Sequence, residues 1–277
     1  MASSCTRCAF AGLRPWLAVW VALIAGGLGS CDKQGDLQRD VVRINAAASI
    51  APVIEGMSPA IEQELSLTIE VNAGGSGVLA QQVTRGDRVD LFISADTVWM
   101  DGLEQQGLID SSSRIDLAGN RMVLIGLISS GLQPGKIEDL SDQQYQPIAV
   151  GDPAYVPAGR YAAQLFKSHG LDTQEALRLA EAPNVRAAVA FVLAGQCPVG
   201  VVYASDVRGS DEIKVLMQID PSEHDPIRYP AAVLQDAPNH AGAQQILTWF
   251  QGEKARAEFK AAGFAELDTL DDRRNSP

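Results

Sequence analysis

From Val41 onward, short apolar runs of strand length alternate with stretches whose apolar residues recur at helical spacing. That alternation constrains the chain more than any other feature, because it is the pattern of an α/β protein with mainly parallel strands flanked by helices. Strands are expected over 41–46, 67–71, 89–94, 121–127, 147–150, 199–203, 213–218 and 227–234. Between the first two, Ile50, Val53, Ile54, Met57, Ile61 and Leu65 define a helical face over 50–65. Pro59 falls inside it and predicts a kink or two shorter helices. Helices are also expected over 77–85, 97–106, 158–169, 173–181, 185–195, 239–251 and 253–262. There is no internal repeat, and no change of composition marks a linker. A two-lobed fold whose chain crosses over and returns would leave no such mark.

The first 30 residues are set aside as a targeting segment. Arg7 and Arg14 precede a short apolar stretch, Trp16–Leu28, well below the roughly 20 residues that span a bilayer. It ends in Leu28-Gly29-Ser30-Cys31, which resembles a bacterial lipobox and makes Cys31 the expected lipidation site. An ordinary cleaved signal with an incidental cysteine is the alternative. Asp32, directly after the cysteine, is associated in lipoprotein signals with retention at the inner membrane. Residues 31–40, beginning CDKQGD, read as a polar tether.

Charge and cysteine usage remove whole classes of function. The chain carries 22 basic and 34 acidic residues, a net charge of −12. Loss of Arg7 and Arg14 with the leader makes the mature chain more acidic still. Such a protein has nothing with which to replace counterions on phosphates, so no nucleic-acid partner is expected. Cys5 and Cys8 lie in the leader, and lipidation of Cys31 would leave Cys197 alone, a packed thiol beside Pro198. The histidines at 169, 224 and 240 are scattered, which argues against a histidine metal site. Asp90, Asp96 and Asp152 suit turns and caps better than acid–base work. Gly74-Gly75-Ser76-Gly77-Val78 lacks the final glycine of a nucleophile elbow, and no histidine has a matching context. Trp99 and Met100, at the start of a helix, read as packing.

The chemistry-bearing feature is repeated four times. A strand or loop ends in small or polar residues and a helix follows at once: Ala46-Ala47-Ala48-Ser49, Gly74-Gly75-Ser76-Gly77, Val156-Pro157-Ala158-Gly159 and Pro183-Asn184-Val185. A helix start presents free N–H groups and the positive end of its dipole, so it can hold an anion. Ser49, Ser76 and Asn184 read individually as N-caps. In a doubly wound fold, where ligands bind beyond the carboxyl ends of strands, four such starts together point to an oxyanion site.

The segments RINAAASI, GGSGVLAQQV, DLFISAD with TVWM, LAGNRMVLI, AVGDPAYVPAGRYA, NVRAAVAFVLAG and VGVVYASDV resemble the molybdate-binding periplasmic proteins of ABC importers, in order and with similar gaps. The resemblance runs from about residue 43 to 264. It implies a two-lobed periplasmic-binding-protein fold, each lobe a mostly parallel sheet flanked by helices, with the ligand in the cleft between them. Lobe one would be 41–118 with 228–277 returning to it, and lobe two 119–227. It also implies that molybdate or tungstate is held through its oxygens, with no direct metal ligand, by the hydroxyls of Ser49, Ser76 and Tyr203 and by backbone at Ala158 and Val185. This chain has Ser76 in a glycine-rich rather than serine-rich run, and its lipobox departs from a soluble periplasmic form.

Neutral donors suit such an ion. In a water-poor cleft each N–H or O–H dipole acts strongly, and a donor-only shell rejects hydrogen phosphate, whose proton needs an acceptor. The expected protein is therefore a monomeric receptor without cofactor, anchored on the periplasmic side of the cytoplasmic membrane. It would deliver molybdate or tungstate to a permease with its cytoplasmic ATPase. A receptor for sulfate or another tetrahedral oxyanion is the alternative within the binding class. A regulatory sensor and an enzyme are the alternatives outside it.

Overall fold

The computed structural model describes residues 40–171 and 176–267. The expected leader, Cys31 and residues 31–39 of the tether lie outside the described residues. Strands and helices are numbered in chain order, and the strands assemble into two five-stranded sheets.

The first sheet contains β1 (Val41–Ala47), β2 (Thr68–Gly74), β3 (Leu91–Ile93), β4 (Ile115–Gly119) and β10 (Arg228–Val233), in the order β2-β1-β3-β10-β4. Strand β1 runs parallel to β2 and β3, whereas β10 is antiparallel to β3 and β4. Around it lie α1 (Ala51–Leu65), α2 (Ser76–Thr84), α3 (Thr97–Gln105), α6 (His240–Phe250) and α7 (Glu253–Ala261). The second sheet contains β5 (Met122–Leu127), β6 (Ile148–Gly151), β7 (Leu179–Ala182), β8 (Val199–Tyr203) and β9 (Ile213–Gln218), in the order β7-β6-β8-β5-β9. Here β6 is parallel to β7 and β8, and β5 is antiparallel to β8 and β9. Helices α4 (Pro157–Ser168) and α5 (Val185–Leu193) pack on it. The architecture is thus two α/β lobes. Parallel pairing holds in β2-β1-β3 and β7-β6-β8, and antiparallel pairing enters with the strands next to the crossovers. The chain passes from one sheet to the other twice, at Asn120–Arg121 and over 219–227.

Local chemistry accounts for these elements. Val42, Ile44 and Ala46 of β1 are fully buried, as suits a strand paired on both sides within its sheet. Helix α1 turns Ile54, Met57 and Ile61 inward. It runs unbroken through Pro59, contrary to the expected kink or pair of helices. Pro59 and Glu55 are exposed, so the carbonyl that loses its partner faces water. The expected helix over 173–181 is also corrected. Residues 172–175 lie outside the described residues, and Leu179–Ala182 forms β7, an edge strand in register with Ile148–Gly151. Ala182 is buried at its end, and Pro183 bars helical continuation through it. Strand β4 was not expected: Asp116 interrupts its apolar run, and the structure pairs that carboxylate with Arg228 at 2.8 Å.

A histidine ties the outer end of α4 to two neighbouring segments. His169, following α4, contacts Glu138 through Nδ1 at 2.9 Å and Glu223 through Nε2 at 2.8 Å. The Glu138 contact, reinforced by Glu223, raises its pKa against the opposing effect of burial. A raised imidazole pKa stabilises the fold fully below the unfolded value, and that contribution disappears as pH rises through the folded value. The melting temperature should therefore fall between pH 6 and pH 8 by about 1–2 °C more in the native chain than in His169→Gln, a small effect because the ring and both carboxylates reach solvent. Parallel slopes for the two proteins would show that the bridge contributes nothing.

Candidate functional site

The turn after β1 contains Ser49, and α1 begins two residues later. The loop after β2 leads directly into α2, whose first residue is Ser76. On the other lobe, the loop after β6 leads to α4, with Pro157 and Ala158 in its first turn, and the turn after β7 leads to α5, which starts at Val185. These four helix starts meet across the gap between the lobes and line one small cavity. Ser49, Ser76, Ala158, Val185 and Tyr203 all contribute to its wall. None of the lining residues carries a formal charge. The cavity is small, far below what a sugar or a peptide needs.

The electrostatics follow from helix geometry. Ser76, Ala158 and Val185 occupy first-turn positions, where N–H groups have no carbonyl to meet within the helix. Each helix also presents a positive dipole end, worth up to about 2 kcal/mol toward a partly buried anion. Two dipole ends come from each lobe. Tyr203 ends β8 and is 1 % exposed. Its ring is held edge-on between Tyr161 at 6.4 Å and Tyr229 at 6.1 Å between centroids. Its hydroxyl is buried and meets no hydrogen-bond partner among the described residues. Burial first, with the neighbouring phenols adding, holds its pKa well above the ordinary value, so it remains a donor.

The serines are not the caps of their helices. Gly75 holds the N-cap position of α2, and the Ser76 hydroxyl oxygen accepts from the Ala95 N–H at 3.0 Å. Ile50 holds that position for α1, and Ser49 Oγ lies 2.9 Å from the Tyr229 hydroxyl. Asn184 is a true N-cap, accepting from the Ala187 N–H at 2.9 Å. The three aspartates serve the framework, as expected. Asp90 accepts from the N–H groups of Arg43 and Asn239, Asp152 from that of Ala154, and Asp96 caps α3 through the Trp99 N–H. Among the described residues there is no group of three or more His, Cys, Asp or Glu arranged to hold a metal ion.

The lobes touch at several points around the cavity. The Gly77 N–H donates to the Tyr155 carbonyl at 2.9 Å. A Cβ on Gly77 would stand 2.6 Å from that oxygen, and one on Gly75 2.8 Å from the Pro183 carbonyl. Only glycine permits this approach. Arg160 of α4 reaches Asp96 at 2.9 Å and lies over the Trp99 ring at 5.5 Å. Sequence reasoning did not foresee this latch, or the roles of Asn120 and Tyr229 at the crossovers. Nor did it foresee Asp206, whose buried carboxyl lies on the turn after Tyr203. Burial pushes Asp206 up to about 7, with Arg186 pulling the other way. A tyrosine opening the apolar run 229–233 was the available signal for the crossover pair. A larger cavity of about 380 Å³ lies elsewhere, between Asp116, Phe250, Arg256 and Phe264, but no helix starts converge there.

Comparison with known proteins gives a consistent result. The sequence matches the family described as bacterial extracellular solute-binding proteins over residues 42–265. It is 32% identical over 251 residues to the molybdate-binding protein of Escherichia coli K12, covering 88% of this chain and 97% of that one. It is 29% identical over 228 residues to the molybdate-binding protein of Haemophilus influenzae, covering 81% and 89%. Among solved structures, the periplasmic molybdate-binding protein of Azotobacter vinelandii superimposes with a TM-score of 0.71 at 24% identity, over 81% of this chain and 98% of the other.

Two outcomes follow for any compact dianion that fills the cavity. Gly75→Ala should leave the melting temperature of the ligand-free protein within about 2 °C while weakening dianion binding at least ~10-fold, because the added methyl group meets only atoms of the other lobe, the Pro183 carbonyl and the Val156 side chain, and props the lobes apart. Unchanged affinity would mean that this contact is not required. Asp206 favours its protonated form below about 7, and a bound dianion would favour that form further. Affinity should therefore drop roughly threefold as pH rises from 6 to 8. Asp206→Asn should flatten that profile, and a slope that survives the substitution would assign it elsewhere.

Proposed function

This chain belongs to the family of bacterial extracellular solute-binding proteins, which are receptors and not enzymes, and we propose that its solute is molybdate, with tungstate accepted as well. The observation that carries this reading is the convergence of four helix starts and the Ser49, Ser76 and Tyr203 hydroxyls on a small, uncharged cavity. Such a shell offers donors in all directions and no carboxylate acceptor. It suits a tetrahedral oxyanion that is fully deprotonated at neutral pH, and it offers hydrogen phosphate no carboxylate to take its proton. The extent of similarity to two molybdate-binding proteins supports the choice of ion.

In this reading, Ser49, Ser76, Ala158, Val185 and Tyr203 contact the oxygens of the ion, and none is a direct ligand of the metal. No cofactor takes part. One lobe, 41–118 with 228–277, closes by a hinge motion on the other, 119–227. The closed form is what a permease with its cytoplasmic ATPase recognises. Cys31 carries a lipid that keeps the monomeric receptor on the periplasmic side of the cytoplasmic membrane. The small cavity is the one observation that favours a second reading, a receptor for the smaller sulfate ion.

Calorimetric titration of the domain beginning after Cys31 with molybdate, tungstate, sulfate and phosphate separates these readings. Tight one-to-one binding of molybdate and tungstate is expected. Ser49→Ala combined with Ser76→Ala should weaken it by about 100-fold, the loss of two hydrogen bonds to a charged acceptor. Sulfate binding without molybdate binding would replace the solute while keeping the site. No heat from any of the four anions would end the proposal.

A further inference from the structure

The hydrogen-bond pattern behind Ser49 has a determinate direction. The Arg121 backbone N–H, which can only donate, lies 2.9 Å from one terminal atom of the Asn120 side chain. That atom is therefore the amide oxygen, and the other is the NH₂ group. The NH₂ nitrogen is 3.1 Å from the Tyr229 hydroxyl and 2.8 Å from Ser205 Oγ, and it donates to both. Tyr229 is fully buried, and its oxygen also lies 2.9 Å from Ser49 Oγ. If Ser49 donated to Tyr229, the phenolic proton would have no acceptor among the described residues, at the cost that attaches to a buried unpaired donor. Tyr229 therefore donates to Ser49, and the serine proton stays free. Ser49 lines the cavity, so its free proton can be directed there. Ser76 is set the same way from a different source, since its oxygen accepts from the Ala95 N–H at 3.0 Å.

We propose that Asn120 and Tyr229 form a directional relay that keeps the Ser49 hydroxyl a donor toward the bound oxyanion, and so act as positioning residues for selectivity against protonated anions. This inference rests on the oxyanion-receptor reading above. The relay also joins the site to the hinge. Asn120 lies at the first crossover, between β4 and β5, and Tyr229 lies at the start of the strand that follows the second. The proton direction at the ligand is thus set by residues at the two crossovers between the sheets.

The test turns the relay around. In Asn120→Asp the side chain that donated becomes an acceptor. Tyr229 then gives its proton to the carboxylate, Ser49 gives its own to Tyr229, and serine lone pairs face the cavity. Titrations of the full chain use two dianions, molybdate and hydrogen arsenate, which differ in that the second carries a proton. The added carboxylate repels both dianions, so the ratio of their affinities isolates the polarity of the site. The native chain is expected to bind molybdate and discriminate strongly against hydrogen arsenate. Asn120→Asp should narrow the ratio at least ~10-fold, the effect of one hydrogen bond to a charged group. In the Tyr229→Phe background the same substitution should leave the ratio unchanged, because the connection to Ser49 is cut.

An unchanged ratio in Asn120→Asp, or a narrowing that persists in the Tyr229→Phe background, overturns the relay. If thermal melting shows that Asn120→Asp does not fold, Tyr229→Phe alone decides. Molybdate affinity should fall about tenfold as the Ser49 rotor loses the donor that holds it, and undiminished affinity overturns the inference. Failure of the native chain to bind molybdate at all would count against the receptor reading. Molybdate binding with equal affinity for hydrogen arsenate would count against the relay alone.

Discussion

An anion taken out of water must recover the hydrogen bonds it leaves behind, and everything around this cavity is arranged to supply them without a counter-ion. The wall consists of helix starts and hydroxyl-bearing side chains, with no charged residue. Fixed dipoles in a water-poor site stabilise charge strongly, and they do so without the tight, indiscriminate hold of a lysine or arginine. The protein's net charge of −12 is then no obstacle, because the local field is set by the backbone and not by the distant surface.

The sheets explain how four helix starts reach one point. In each lobe the parallel strands β1 and β2, or β6 and β7, end at the cleft, and each is followed by a helix that begins there. The antiparallel strands beside the crossovers turn the two lobes to face each other. Tyr203, at the end of β8, rests edge-on against Tyr229 of the opposite sheet, so aromatic packing links the lobes immediately behind the ligand wall. Glycines at 75 and 77 let backbone meet backbone at the rim.

The sequence made the α/β pattern and the ends of most elements legible because period and punctuation coincide there. Strand β8 runs through an uninterrupted apolar stretch, and α5 begins just after the Asn184 cap. Legibility failed where a single residue carried conflicting signals. Asp116 concealed β4, and the edge strand β7 lay in a segment rich in helix formers. Pro59 looked like a break but faces solvent, where the lost hydrogen bond is replaced by water. The four helix starts were legible as runs of small or polar residues, and the five candidate contact positions, Tyr203 among them, through family resemblance. The orientation of the serines was not. Ser49 and Ser76 read as caps, and only three-dimensional contacts with Tyr229 and Ala95 show that their hydroxyls are engaged away from their own helices. Contacts separated by 180 residues leave no local trace.

The division of the helix starts between the lobes, two from each, has a mechanical meaning. Neither half of the wall is a complete shell, so the ion is held firmly only while both halves face it. Prising the lobes apart leaves each with half a solvation sphere and readmits water to the rest.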